Sequence, residues 1–190
     1  GYVHRLVQEQ RNEFDREGTS FPSFDVLTQY VQLRALHDAG VLEPTDAATI
    51  ANVQSITHDG DYESRAERLE DFIESHEVLN EDSKQAVFLL GGLVGRITTL
   101  QRRNDVSSTL VRRYPIDYIT KQSIKEVTNE VLQMNNTYVE SENKLSGGYN
   151  ARYVNRLPDL MLSSDPSTWR FTQNELQWLY ALGIAYGIND

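Results

Sequence analysis

Apolar residues recur at spacings of three and four along most of the chain, and such spacings place side chains on one face of an α-helix. No segment shows the alternation of apolar and polar residues that a half-buried strand requires. The pattern therefore predicts an all-α fold, a bundle of about seven to eight helices. It is clearest in two helices, predicted over Asp61–Leu79, with Tyr62, Ala66, Leu69, Ile73 and His76 inward, and over 115–138, with Ile124, Val127, Val131, Met134 and Tyr138 inward.

The most apolar segment lies near the middle of the chain and predicts a helix over Ser83–Arg103. Its apolar side chains cover most of the helix circumference, and a helix of that kind is enclosed by other helices rather than laid on a surface. We therefore expect it to form the centre of the bundle. The apolar residues are Val87, Phe88, Leu90, Leu93, Val94, Ile97 and Leu100.

Glycines interrupt this helix and the last helix with the same spacing. Each glycine lowers helix stability by roughly 1 kcal/mol relative to alanine, and the close approach of another backbone is the usual reason to keep one. Gly91 and Gly95 are four residues apart, as are Gly183 and Gly187. We expect each pair to pack against a neighbouring helix, and the two pairs are candidates for packing against each other.

Helix start and stop signals predict the remaining elements. Thr109–Tyr114 is expected to be either a short strand or the start of a helix. Pro158 is expected to kink or restart a helix over Ala151–Leu162. Thr172 and Glu175 have the spacing of a capping box at the start of the last helix. Three more helices are predicted over Tyr2–Glu17, from Ser23 to Ala39 and from Pro44 to Ile56, and a loop is predicted over 140–148.

Charge is distributed unevenly along the chain. Residues 1–83 carry 6 basic and 18 acidic side chains, whereas residues 84–190 carry 12 and 10. The second part is therefore the better candidate for an anionic partner. The asymmetry predicts an acidic helical part over 1–80 and a helical bundle over 81–190, either as two parts or as one continuous domain. The net charge of −10, with fourteen Arg and four Lys, resembles that of proteins from a high-salt cytoplasm.

Basic residues concentrate between residues 84 and 125, where eight of them accompany two acids. Arg96 and Arg103 share a polar face of the central helix, and Arg102 points away from it. One hypothesis is that these cations hold a nucleic-acid backbone, since Arg and Lys fix position there without reading sequence. The alternative is that they pair with the acidic first half and serve protein contacts only. The candidate residues are Arg96, Arg102, Arg103, Arg112, Arg113, Lys121 and Lys125.

No catalytic site, metal site or cofactor is predicted. The absence of cysteine excludes disulfides, thiolate metal sites and cysteine nucleophiles. The pairs His37-Asp38 and His58-Asp59 are of a kind used by helical metal phosphohydrolases, but the chain has only 4 histidines, which makes that function a remote third hypothesis. No apolar run approaches the ~18 residues of a membrane span, and the start lacks the pattern of a signal peptide. A cytoplasmic location without a membrane partner is expected.

Four segments between Gln85 and Gly187 resemble a known family. They are VFLLGGLVGRITTLQ, DVSSTLVRRYPIDYITKQSIKEV, EVLQMNNTY and ELQWLYALGIAYG. Together they resemble the C-terminal region of the large subunit of the type I-B CRISPR interference complex, Cascade, in its haloarchaeal form. Residues 1–84 carry no segment that matches closely.

The resemblance implies a non-catalytic helical subunit that steadies the guide RNA–target DNA heteroduplex and the displaced strand. It implies other Cascade subunits, the CRISPR RNA and the target DNA as partners, with one or several copies per complex. The chain would be either a piece of the large subunit or a separate small subunit made by internal translation. DNA cutting would belong to a recruited helicase-nuclease. The net charge departs from what a strand-binding subunit suggests, which leaves open whether the chain contacts DNA or mainly holds other subunits.

Overall fold

The computed structural model describes residues 62–103, 106, 108–141 and 150–189, and this part of the chain is helical without a strand. The prediction of an all-α fold is confirmed for it. The three helices predicted before residue 57 lie outside the described residues. The helices are α1 (Tyr62–Glu74), α2 (Asp82–Arg103), α3 (Leu110–Arg113), α4 (Ile124–Ser141), α5 (Ala151–Val154), α6 (Leu157–Ser163) and α7 (Gln173–Asn189), with 3-10 turns at Glu77–Leu79, Ile116–Tyr118 and Pro166–Thr168.

Helix α2 is the centre of the fold, and α7 is its main neighbour. Every residue from Gln85 to Thr98 is buried, as the apolar circumference of this segment predicts. Helix α7 is buried just as continuously from Trp178 to Ile184. The side chains of Leu176, Trp178, Leu179, Tyr180 and Ile184 are all in the core.

The two glycine pairs face each other where α2 and α7 meet. A methyl group added to Gly91 would lie 2.9 Å from the Ile184 nitrogen and 3.1 Å from the Gly183 Cα. One added to Gly95 would lie 2.9 Å from the Ile188 nitrogen and 3.1 Å from the Gly187 carbonyl carbon. Backbone is therefore packed on backbone, and no larger residue fits without moving a helix.

Aromatic rings join α1 to this helix pair. The Phe72 ring stacks on Phe88 with centroids 5.5 Å apart and meets Tyr186 at 4.8 Å. The seam predicted for α1 correctly places Leu69 and Ile73 in the core, but it missed Phe72. His76 is half-buried as expected, and its ring lies 4.3 Å from that of Phe72.

The helix predicted to begin at Pro115 begins later, so that expectation is wrong. Pro115 instead precedes a 3-10 turn, and Ile119 then takes an extended conformation with φ −78° and ψ 119°. The new start is set by a reciprocal cap. The Thr120 N–H donates to the Ser123 Oγ at 2.9 Å, and the Ser123 N–H donates to the Thr120 Oγ1 at 3.1 Å. Helix α4 follows directly at Ile124.

The other helix ends in the second half of the chain can be compared with the predicted ones. Of the alternatives for Thr109–Tyr114, the structure has a helix, α3, and the Pro158 segment is restarted as α5 and α6 rather than kinked. The capping box at the start of α7 is confirmed, because the Thr172 N–H donates to Glu175 Oε2 at 2.6 Å and the Glu175 N–H donates to Thr172 Oγ1 at 3.2 Å.

Candidate nucleic-acid interface

Arg96 does not lie on an open polar face, and that expectation is wrong. The residue is only 4% exposed. Helical periodicity correctly groups Gly92 with Arg96, but it does not tell which neighbour covers them. The ring of Tyr153, from α5, packs against Gly92, where an added methyl would lie 3.0 Å from the Tyr153 Cδ1. The middle of α2 is therefore closed to a large ligand.

A second arginine, Arg152, is buried beside the same tyrosine. Its guanidinium carbon lies 5.1 Å from the centre of the Tyr153 ring. Burial raises the pKa of the Tyr153 hydroxyl, and the positive charges of Arg152, Arg96 and Arg65 oppose that rise. Two buried arginines, Arg96 and Arg152, thus act on the Tyr153 hydroxyl. Sequence reasoning missed Arg152, because helical periodicity does not show which face of a short helix is covered by its neighbours.

Arg113 stands at the surface and is tied to α4. Its Nη2 donates to the Glu130 Oε2 at 3.0 Å, while 53% of its side chain stays exposed. The Tyr114 hydroxyl donates to the same carboxylate oxygen. Burial, assisted by this hydrogen bond to Glu130, raises the pKa of Tyr114 to about 12. Glu130 therefore holds Arg113 and Tyr114 together.

Lys121 and Lys125 differ in what holds them. The Lys121 Nζ donates to the Trp169 carbonyl oxygen at 2.6 Å and lies 5.6 Å from the centre of the Phe171 ring, so it fastens the chain before α7 to the start of α4. The Lys125 Nζ is 3.6 Å from the Asp165 Oδ1, and both side chains are exposed. An exposed ion pair of that length contributes little to stability, so Lys125 can exchange its partner.

Within the described part of the chain, Arg113 and Lys125 form ion pairs that stay in the second half of the chain. Their carboxylate partners, Glu130 and Asp165, both belong to the second half of the chain. Pairing between the halves does occur at Arg156, which was not a candidate and which ion-pairs with Glu70.

Helix α3 presents two of the exposed candidate cations. Its Leu110 and Val111 are buried, whereas Arg112 and Arg113 are exposed. Two side chains of α2 fix its position. The Leu110 N–H donates to the Gln101 Oε1 at 2.7 Å, and the Val111 N–H donates to the buried Thr98 Oγ1 at 3.2 Å.

Arg102 is half-buried in the last turn of α2, and Arg103 ends that helix. We call Arg102, Arg112 and Arg113 the basic end of α2 and α3. Tyr118, on the turn after α3, is half exposed and was not among the sequence candidates. The signal that finds it is the interleaving of basic and aromatic residues over 112–121.

Neither a metal site nor a membrane helix is found within the described ranges. No group of three His, Asp or Glu side chains there is arranged to hold a metal ion. None of the helices there is long and apolar enough to span a bilayer. The pairs His37-Asp38 and His58-Asp59 lie outside the described residues.

Comparison with known proteins gives a family match over nearly the whole chain. The model of the family described as CRISPR-associated protein TM1802 (cas_TM1802) C-terminal domain matches residues 2–189. The match confirms the resemblance found in four segments after residue 84 and extends it over the acidic first part, where no motif was recognised.

A curated relative agrees with this match. The CRISPR-associated protein Cas8b of Haloferax volcanii is 25% identical over 190 aligned residues, which cover 94% of this chain and 26% of the relative. The chain thus spans about a quarter of the length of that protein. No solved structure matches the chain.

Proposed function

The chain belongs to the family of CRISPR-associated protein TM1802 C-terminal domains, and on this basis we propose that it is a non-catalytic helical part of an RNA-guided interference complex, Cascade. In this proposal it steadies the guide RNA–target DNA heteroduplex and the displaced strand by holding their phosphates. Its partners are the other subunits of the complex, the CRISPR RNA and the target DNA. Base pairing reads the sequence in such complexes, and the protein holds the backbone.

The exposure of Arg112 and Arg113 on an anchored helix is the observation that supports this function best. Only a cation that reaches solvent can replace the counterions of a phosphate. We therefore assign the contact to Arg102, Arg112, Arg113 and Lys125, and Arg103 stays a candidate. We exclude Arg96 and Lys121 from the proposed phosphate contacts. Arg96 is buried, and Lys121 is held by a backbone carbonyl.

The acidic character of the chain does not oppose this assignment in a salt-rich cytoplasm. Repulsion between exposed charges is screened beyond about 3 Å at 1 M salt. Direct contacts between guanidinium groups and phosphates then persist, while long-range repulsion from the carboxylates does not.

The salt dependence of binding tests this function. Each phosphate contact contributes about 0.7–0.9 to the slope of log K against log salt concentration. Replacing Arg112 with Ala should lower that slope by one such step for every target sequence. Lys84→Ala is the matched control, because it removes the same charge near the start of α2, about 27 Å along the helix from Arg102 at 1.5 Å per residue. Equal slopes in both variants would contradict the assignment.

A structural adaptor is the second candidate function. Leu162 on α6 is 83% exposed, and the neighbouring Ser163 and Trp169 line an open cavity of about 590 Å³. An exposed large apolar side chain beside a depression is suited to a protein partner. If Arg112→Ala releases the chain from its complex while DNA binding per assembled complex is unchanged, the adaptor function is the correct one.

A further inference from the structure

We infer that Tyr118 is a stacking platform for an unpaired base of a single-stranded nucleic acid. The inference rests on the proposed function of the basic end of α2 and α3, and it adds a contact to bases where that function requires only phosphates. It predicts a preference for single strands over duplexes, because a base inside a duplex already has both faces covered by its neighbours.

The backbone of Tyr118 is fixed while its side chain is open. The residue is 49% exposed, yet Ile116 and Ile119 on either side of it are buried. The Tyr118 N–H donates to the Pro115 carbonyl oxygen at 2.9 Å, and the Ser123 hydroxyl donates to the Tyr118 carbonyl oxygen at 3.0 Å. From α7, the Gln173 Nε2 donates to the Ile119 carbonyl oxygen at 2.6 Å. The exposed ring is therefore mounted on a rigid turn.

The Tyr118 ring is also supported from the protein side. It packs against Tyr114 with centroids 5.7 Å apart and an interplanar angle of 51°. Tyr114 is itself fixed at both ends, by its hydrogen bond to Glu130 and by that from Tyr180 to its carbonyl oxygen. A tyrosine held this way offers a large flat surface and loses little conformational entropy when it binds.

Two exposed cations precede Tyr118 in the chain, and one of them contacts the ring that supports it, while Asp117 beside Tyr118 is an exposed acid. Arg112 and Arg113 precede it on α3, and the Arg113 guanidinium carbon lies 5.4 Å from the centre of the Tyr114 ring. Cations that follow a backbone, combined with an aromatic surface for its bases, are the usual means of holding single strands without sequence preference. The other exposed large apolar residues within the described ranges, Val106 and Leu162, are aliphatic and offer no aromatic face.

The test uses the full chain and two single-stranded DNA oligonucleotides of equal length, one ordinary and one with every base removed. Stacking of one base on an aromatic side chain corresponds to a loss of about fivefold or more in affinity when the ring is removed. Tyr118→Ala should cause this loss on the ordinary oligonucleotide and none on the abasic one. Tyr118→Phe should bind like the wild type, because the hydroxyl is not needed for stacking.

Further measurements compare RNA with DNA as the source of the stacked base and separate the effect of stacking from that of charge. An RNA oligonucleotide should show the same Tyr118→Ala loss as DNA, since every base has an aromatic face, and a blunt duplex should show none. The salt slope should stay unchanged in Tyr118→Ala, unlike in Arg112→Ala. If Tyr118→Ala lowers the melting temperature, Tyr118→Leu replaces it, because leucine keeps apolar bulk without a ring.

Two results overturn the inference in distinguishable ways. If Tyr118→Ala binds the ordinary oligonucleotide as well as the wild type does, or loses as much on the abasic one, while Arg112→Ala still lowers the salt slope, stacking is wrong and the backbone contact stands. If the wild-type chain binds none of the oligonucleotides, the inference and the proposed function fail together.

Discussion

The hydroxyl of Tyr180 donates a 3.0 Å hydrogen bond to the backbone carbonyl oxygen of Tyr114, which links α7 to the segment that follows α3. Tyr180 is fully buried, and burial raises the pKa of its hydroxyl well above the ordinary value. Tyr114 continues the link to α4 through Glu130, which also holds Arg113. The core of the bundle thus positions the exposed cations of α3.

We expect Tyr180→Phe to destabilise the chain by about 1–3 kcal/mol, because it leaves a buried carbonyl oxygen without a donor. Urea unfolding followed by circular dichroism measures this. Tyr186→Phe is the matched control, since its buried hydroxyl has no hydrogen-bond partner in the described structure and its loss should be neutral or stabilising. A similar loss in both variants would show that ring packing, not the hydrogen bond, is what Tyr180→Phe disturbs.

A second prediction concerns the contact between α2 and α7. In an isolated helix, Gly183→Ala would add roughly 1 kcal/mol of stability. Here the added methyl would lie 2.9 Å from the Gly92 nitrogen, so overpacking should reverse the sign and cost about 1–3 kcal/mol. Asn174→Ala, at an exposed position of the same helix, should change stability by no more than about 0.5 kcal/mol. A rise in the melting temperature of Gly183→Ala would mean that the helices do not meet there.

The glycine contact was predictable from the sequence, whereas the burial of Arg96 was not. Spacing within one helix shows that Gly91 and Gly95 share a groove, and the matching spacing of the last helix suggests its partner. Helical periodicity also shows which residues accompany Arg96. It does not show that α5, more than fifty residues later in the chain, covers that face with Tyr153.

Competition between two possible helix starts explains a second difference between the predicted and the observed structure. Pro115 is a good first residue for a helix, and the seam beyond it is regular, so one long helix was the natural prediction. Thr120 and Ser123 cap each other reciprocally, which starts α4 later and leaves the intervening turn at the surface. Tyr118 is exposed because of that turn, so helical periodicity alone did not predict its exposure.

Arg96 supplies a third prediction, on stability. Because the side chain is enclosed, Arg96→Ala should remove packing around its aliphatic stem and the interactions of its guanidinium, at a cost on the order of 2 kcal/mol or more. Arg112→Ala, at an exposed position, should change stability by no more than about 0.5 kcal/mol. Thermal unfolding of the two variants measures the contrast. Equal melting temperatures would indicate that the Arg96 side chain is exposed. Arg96 would then again be a candidate for a phosphate contact.

A fourth prediction concerns alkaline pH. The pKa of Tyr114 is raised to about 12 in the folded chain, against about 10 in an unfolded one. A raised pKa means that its contribution to stability is fully present below pH ~10 and is lost as the pH rises toward ~12. The stability of the wild type should therefore fall between these values, and Tyr114→Phe should fall less. An identical decline in both would show that Tyr114 ionises as freely when folded as when unfolded.

The last prediction is that Glu130 competes with phosphate for Arg113. The Glu130 carboxylate lies 3.0 Å from the Arg113 Nη2 and accepts the Tyr114 hydroxyl as well. Glu130→Gln removes the negative charge but keeps an oxygen that accepts the Tyr114 hydrogen bond, so the fold should be retained. Arg113 would then be available to a nucleic-acid backbone at all times. We expect tighter binding to single-stranded DNA and a salt slope steeper by up to about 0.7, because Arg113 of the wild type is shared between Glu130 and the phosphate.

Glu126→Gln is the matched control for this change. Glu126 lies one turn earlier on α4 and is exposed, and its replacement removes the same charge from the same helix. General electrostatics should make both variants bind more tightly, whereas only Glu130→Gln should steepen the slope. If the two variants gain affinity equally and share one slope, the Arg113–Glu130 pair stays intact when the strand binds, and the phosphate contact must come from Arg102, Arg112 or Lys125 instead.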